Sequence, residues 1–457
     1  MGVRVYLSAI GSNMVVKPDI DMKRNLFFIV LSFIFFNVLL TACSNDDDGG
    51  PATGKLTGTV TDIESQAGLE GVKIIVFDAE TNSPTENSLS TDASGNFTSD
   101  LIPGTYFLKF YKQGYDALPP RGIEAVSFSI EAGGTTQQTA EMTPSTITNA
   151  GFISGKVASG GTGIAGVLVV AEDAGNKTAF STVSDKDGNY SIYNVPQGGY
   201  QVKGYIMNYS SNSVGASVTI NTETPDVNVE LTADAAGSLN GAVKNIATDN
   251  KDVDVTLVHP ITKETIPGLS TKTVSLSYTL TNIPDGTYIA RATYDNDERV
   301  MDPDRIAKFG EPIVTFSGGN SLTLTFDITG SITINTPTNE ATTTQPVEIT
   351  STTPTFEWTA YSSTSDYVIE VMDISTGTIV WGGFDNSGAD PVKNIVIPSS
   401  QKSIQFNSDG NASIAELIVG RTYRWKVYAS KDDQNSPVGW TLISSSEDQL
   451  GLIKVSN

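Results

Sequence analysis

One phrase written three times constrains this chain more than any other feature. The first copy reads Gly58-Thr-Val-Thr-Asp62, Gly71-Val-Lys-Ile-Ile-Val-Phe77, Asp92-Ala-Ser-Gly95-Asn-Phe97 and Leu101-Ile-Pro103-Gly104-Thr-Tyr106. The second answers with Gly155-Lys-Val, Gly166-Val-Leu-Val-Val-Ala171, Asp185-Lys-Asp-Gly188-Asn-Tyr190 and Val195-Pro196-Gln-Gly198-Gly-Tyr200. The third keeps Gly241-Ala-Val, Tyr278 and Ile283-Pro284-Asp-Gly286-Thr-Tyr288 but lacks the Asp-x-x-Gly turn. Self-similarity at this spacing means three folded units of one kind. Within each copy, apolar and polar residues alternate with period two, so each strand has one buried face. The Asp-x-x-Gly-Asn-aromatic phrase predicts a turn in which glycine takes φ > 0, and Pro-x-Gly-x-Tyr a second corner before a strand.

Composition agrees with many short strands joined by turns. The chain has 457 residues, 42 Gly and 20 Pro, and only 17% charged residues. That length is two to three times a usual domain of about 100–200 residues, so several separate cores are expected. With 28 basic and 51 acidic residues the net charge is −23, which makes nucleic acid a poor partner. One cysteine and one histidine, His259, leave no intrachain disulfide and no zinc, triad or thiol-protease constellation within the chain. No catalytic residue, cofactor or metal is expected.

The N-terminus sets the compartment. From Met22 a Lys-Arg pair leads into an apolar run, Leu26 to Phe36 continuing to Leu40, and then to Leu40-Thr41-Ala42-Cys43. This is the pattern of a secretory signal peptide. A spanning helix would need about 20 apolar residues, and this run is shorter, with a cleavage-type ending. Leu40-Thr-Ala-Cys43 resembles the lipobox of bacterial lipoproteins, which implies that residues 1–42 are removed and Cys43 is acylated. Two or three acyl chains hold a protein on a membrane stably where one does not. Residues 1–21 precede the better start at Met22, so the expected true start is Met22. Removing residues 1–42 leaves 24 basic and 49 acidic residues, net −25. Ser44-Asn-Asp-Asp-Asp-Gly-Gly50 is similar to the acidic signal that sends some lipoproteins to the outer face of the outer membrane. Read without that resemblance, residues 43–53 are a flexible tether, and a periplasm-facing position stays open.

The repeated phrases resemble the carboxypeptidase regulatory-like domain, a transthyretin-like β-sandwich. The resemblance covers residues 54–143 and 152–232, and a degenerate copy over 237–330. It implies an all-β chain, a tandem array of small antiparallel β-sandwiches, with no peptidase domain attached. Residues 335–353 are rich in Thr and Pro and read as an extended linker. Residues 354–457, with Thr355-Phe-Glu-Trp358 and Tyr423-Arg-Trp425-Lys-Val427, resemble a fibronectin type III domain. Trp358 and Trp425 would then be core residues. Four domains joined by linkers suggest an elongated row reaching on the order of 120 Å.

Candidate sites are few. All four tryptophans lie in the last domain; once Trp358 and Trp425 are assigned to the core, Trp381 and Trp440 remain as possible glycan contacts, with Tyr361 and Tyr428 beside them. Packing at a strand edge is the plainer role for such rings. Asp295, Asp297, Glu298, Asp302 and Asp304 form an acidic loop whose spacing fits no strict calcium pattern. Asp185, Asp187 and Asn189 start like an EF-hand loop, but the glycine comes early and no closing glutamate follows, so a plain turn is expected. His259, before Pro260, is expected in a surface turn. The strands after the Pro-Gly-Tyr corner carry Lys109 and Lys203 without the acid that a Lys-Asn cross-link needs. The expected function is a non-catalytic surface lipoprotein, a stalk displaying an adhesive or structural interaction module. The alternative is a carbohydrate-binding accessory lipoprotein of a polysaccharide-uptake system. Partners are envelope lipid through Cys43 and either a surface glycan or another envelope protein.

Overall fold

In the computed structural model, residues 52–456 are described apart from 86–87, 174, 176–177, 246–252, 294–298, 304–311, 340–344 and 389. The signal segment and Cys43 lie outside the described residues. Residues 53–457 form one compact unit. Its secondary structure among the described residues is strand and turn, an all-β fold as the patterning requires.

The first sandwich faces a sheet ordered Asn96–Leu101, Gly54–Asp62, Thr135–Met142 against one ordered Ser83–Pro84, Lys73–Asp78, Gly104–Tyr111, Phe128–Ile130. Strand Gly54–Asp62 alternates strictly between buried and outward residues, sending Leu56 and Val60 into the core with Ile74, Val76, Tyr106 and Leu108. The second sandwich repeats the plan, with Ala150–Ser159 central in one sheet and Thr178–Val183, Leu168–Asp173, Gly198–Tyr205, Val214–Val218 forming the other. In the third, Gly237–Asn245 is central in one sheet, and Thr265–Lys272, Asp254–Val258, Gly286–Thr293, Ile313–Phe316 form the other.

Most pairs are antiparallel, but in each repeat the first strand pairs in parallel with the last: Lys55 opposite Thr135, Val157 opposite Val229, Val243 opposite Phe326. A parallel partner cannot come from a hairpin, so the rest of the domain forms the connection. This explains the recurring first-strand glycine. An added Cβ would lie 2.1 Å from Gln138 O at Gly58, 2.0 Å from Val227 O at Gly155 and 1.8 Å from Leu324 O at Gly241. The next strand's aromatic residue crowds the same spot, with the Phe97 ring, Tyr190 hydroxyl and Tyr278 ring within 2.3, 3.1 and 2.9 Å of those Cβ positions. The repeated corner has an equally local cause. Tyr106 donates to Ile102 O (2.9 Å), Tyr200 to Pro196 O (3.0 Å) and Tyr288 to Pro284 O (3.1 Å), so each buried ring ties down the turn that precedes it.

The fourth sandwich sets Ile334–Thr336, Thr355–Trp358, Ser403–Gln405 against a sheet whose main path runs Val347–Ile349, Leu452–Val455, Thr422–Asp432, Asp366–Asp373, Thr378–Gly382. The stretch 335–353, expected as a linker, contributes to this domain. Ile334–Thr336 pairs with Thr355–Trp358, Val347–Ile349 pairs in parallel with Leu452–Val455, and Pro337 O accepts from Trp425 Nε1 at 2.8 Å.

The expected elongated row does not form, because neighbouring sandwiches share apolar and polar contacts and the last returns to the first. Asn194 of the second caps Gly114 N (2.7 Å) and donates to Tyr115 O (2.6 Å) in the first. Leu168, Val170, Ala179 and Tyr205 of the second join the core of the third. Ser444 of the fourth donates to Gly330 O at the end of the third (2.6 Å). Thr143 of the first donates to Gly420 O of the fourth (3.0 Å), and Ile123 packs on Ile374 and Leu452. Linkers this short, with apolar patches on both sides, favour burial over extension.

Candidate functional site

Trp381 is overturned as a surface candidate. It is buried with Val380, although strict alternation would turn only one of two adjacent residues inward, and the pairing of its strand with Asp366–Asp373 shifts register nearby. Its Nε1 donates to Asp409 Oδ1 (2.7 Å), and its ring meets Phe406 edge-on at 5.4 Å. Trp358 and Trp425 are core residues, as the strand pattern predicts. Tyr361 is partly buried against this core, its backbone N–H donating to Tyr367 Oη (2.8 Å).

Trp440 and Tyr428 do come together, at the other face of the same sheet. Trp440 opens strand Trp440–Ser445, opposite Asp432 across a tight connection, and remains half-buried. A two-residue ribbon, Phe384–Asp385 paired with Val392–Lys393, supplies its neighbours. Phe384 stacks on Trp440 (5.9 Å between centroids, 22° between planes) and stands edge-on to buried Tyr428 at 5.3 Å. Lys393 Nζ lies 4.6 Å from the Trp440 centroid and is itself pinned by Asp366 Oδ1 (2.8 Å), Asp366 Oδ2 (3.0 Å) and Ser430 Oγ (2.6 Å). Beside these lies an open groove of about 500 Å³ whose lining includes Asp390, Val392, Val396, Asp432 and Trp440. Sequence reasoning missed Phe384, Lys393 and Asp366. Their ribbon is too short to show a period, and the Gly382-Gly383 turn before it was the one available signal.

The remaining candidates have structural partners. His259 is not on the surface: it is 1% exposed, faces Tyr205 edge-on at 5.0 Å and places Nε2 3.0 Å from Glu172 Oε1 of the second sandwich. The His259 hydrogen bond holds the Glu172 carboxyl below its ordinary range against burial, assisted by a bond from Tyr205 (2.7 Å). Asp185 Oδ1 accepts from the backbone N–H of Asp187 (3.1 Å) and Asn189 (2.8 Å), the geometry of a plain turn. Lys109 Nζ sits 5.0 Å over the Phe77 ring, and burial lowers its pKa. Asp295, Asp297, Glu298 and Asp304 lie outside the described residues; the backbone N–H of Asp302 donates to Asp327 O (2.8 Å). Arg421, which no sequence signal marked, is 1% exposed and joins Asp373 of its own domain to Asp116 of the first sandwich. Its Nη2 lies 2.9 Å from Asp116 Oδ2 as an ion pair without hydrogen-bond alignment.

Fold and contacts together define a multidomain β-sandwich protein. Residues 55–143 match the carboxypeptidase regulatory-like domain, and residues 150–234 match the second β-sandwich domain of the BOS complex subunit NOMO1-like family, two matches in tandem over the first two sandwiches. No curated protein matches the chain closely enough to count as a relative. Among solved structures, similarity is found to the Bacillus anthracis TIE protein, with 15% identity over 61% of this chain and 51% of that one and a TM-score of 0.18. A leucine-rich repeat protein from Bacteroides thetaiotaomicron shares 16% identity over 40% of this chain and 27% of its own, at TM-score 0.22. BcpA, the major pilin subunit of Bacillus cereus, shares 12% over 61% of this chain and 100% of its own, at TM-score 0.18. This chain therefore spans about half the length of the first and about a quarter of the second.

Proposed function

We propose that this chain is a non-catalytic lipoprotein of the bacterial outer membrane, acylated at Cys43 and displayed on the cell surface, where its sandwiches present an adhesive or structural interaction surface. The observation that carries this reading is the use made of the groups most capable of chemistry. His259 and Arg421 are buried in contacts that fasten one sandwich to another. Domains 54–143, 152–232 and 237–330, with a fibronectin type III-like unit ending the chain, then act as one platform rather than a stalk, and reach from the membrane falls to the acidic tether 43–53. Acyl labelling together with protease shaving of intact cells tests the reading. Cys43→Ala should abolish labelling and release the protein from the membrane fraction; unchanged labelling removes the anchor, and protection from protease in intact cells removes surface display.

A second reading, glycan binding, is favoured by the half-buried Trp440 beside an open groove. Of the expected pair Trp381 and Trp440, Trp381 is buried, and Trp440 is the one that lies at a groove. A glycan array probed with the chain from Ser44 onward tests it.

A further inference from the structure

The polarity of the Trp440 groove narrows its ligand beyond the glycan reading, on which this inference rests. Lys393 does not offer a free positive charge: its side chain is 7% exposed, and its ammonium is held by both oxygens of Asp366. These two charges cancel, leaving Asp390 and Asp432, both exposed, to set the charge of the rim. An anionic ligand meets only repulsion there.

The Trp440 ring is held in place and stays half-buried at the groove. Lys393 fills a cation–π position on Trp440 at 4.6 Å, and Phe384 fixes the ring by stacking, so the platform is ordered before any ligand arrives. What the groove offers is apolar surface next to hydroxyl acceptors. Val392 and Val396 are each 59% exposed, and two carboxylates stand beside them. A pyranose combines the complementary features, a C–H face that covers apolar surface and hydroxyls around its edge that donate to carboxylates. The groove volume of about 500 Å³ is in the range of small-ligand sites.

We propose that this groove is a subsite for a pyranose ring of an uncharged saccharide, with Trp440 as its platform and Asp390 and Asp432 as hydroxyl acceptors, and that uronate and sulfated chains are rejected. The chain supplies its own reporter. Trp358, Trp381 and Trp425 are buried, so tryptophan emission open to a neutral quencher belongs to Trp440.

The chain from Ser44 onward is titrated with gluco-, manno- and N-acetylglucosamine oligosaccharides, with oligogalacturonate and with a lysine-rich peptide, while acrylamide quenching is followed. The expected result is saturable protection by at least one neutral oligosaccharide, insensitive to salt. Trp440→Ala should weaken binding of that oligosaccharide, read by calorimetry, about tenfold and Trp440→Phe less, with the thermal unfolding of the domain retained. Protection by oligogalacturonate, salt-sensitive protection by the peptide, or full quenching in the presence of every neutral probe overturns the assignment. If the glycan array shows binding that Trp440→Ala leaves intact, the subsite fails while the glycan reading stands; an array without any binding removes both.

Discussion

Replacing Arg421 by Met should destabilise the fourth sandwich by about 3–5 kcal/mol, the range found when one partner of a buried ion pair is removed. The side chains of Arg421, Asp116 and Asp373 are 1%, 11% and 7% exposed, so little solvent screens them. At 4 Å and an effective dielectric of about 20, one pair interacts by about 4 kcal/mol, which matches that range. Methionine keeps the length of the stem, so the change isolates the charge. Urea unfolding followed by tryptophan emission reports the fourth sandwich, since all four tryptophans are there. The pH dependence supplies the sign. Burial raises the Asp116 carboxyl, and the Arg421 charge opposes that rise. A carboxyl whose folded pKa is raised contributes stability fully below its ordinary value, and that contribution is lost as pH rises through the folded value. The variant, without the opposing cation, should therefore recover part of its deficit on acidification from pH 7 toward pH 4. Adding Asp116→Asn and Asp373→Asn should recover most of it at neutral pH. A loss below about 1 kcal/mol, or one that acid leaves unchanged, would refute the clasp.

Trp381→Ala should cost about 3–5 kcal/mol as a core truncation, while Trp440→Ala stays well under that, both read by thermal unfolding. Tyr106→Phe, Tyr200→Phe and Tyr288→Phe should each cost roughly 1–2 kcal/mol, because each leaves one corner carbonyl without its donor; three clearly unequal losses would contradict the shared corner. Gly155→Ala should cost about 2–3 kcal/mol, since its Cβ would overlap Val227 O. For Glu172, whose folded pKa is depressed, stability is present above the ordinary carboxylate range and is lost as pH falls through the lower folded value. His259→Leu should flatten that acid limb in a pH series of urea midpoints.

What could be read in the sequence was whatever depends on neighbours along one strand or one turn. The three tyrosine corners, the alternation of Gly54–Asp62 and the turns at Gly95 and Gly188 all follow from residues a few positions apart. Positions decided by another sandwich were not legible. His259 looks like a turn residue until Glu172 closes over it, and nothing near Arg421 in sequence points to Asp116. Trp381 was misplaced because Val380 and Trp381 are both buried where an irregular strand abandons period two. The Thr/Pro-rich stretch 335–353 reads as an extended linker because its strands pair with segments that composition does not reveal.

Solution scattering on the chain from Ser44 onward bears most directly on the closure of the four sandwiches. A compact unit of its 405 residues, 53–457, should have a radius of gyration near 22 Å. A value near 35 Å, that of four domains in line over about 120 Å, would contradict the contact between the first and fourth sandwiches.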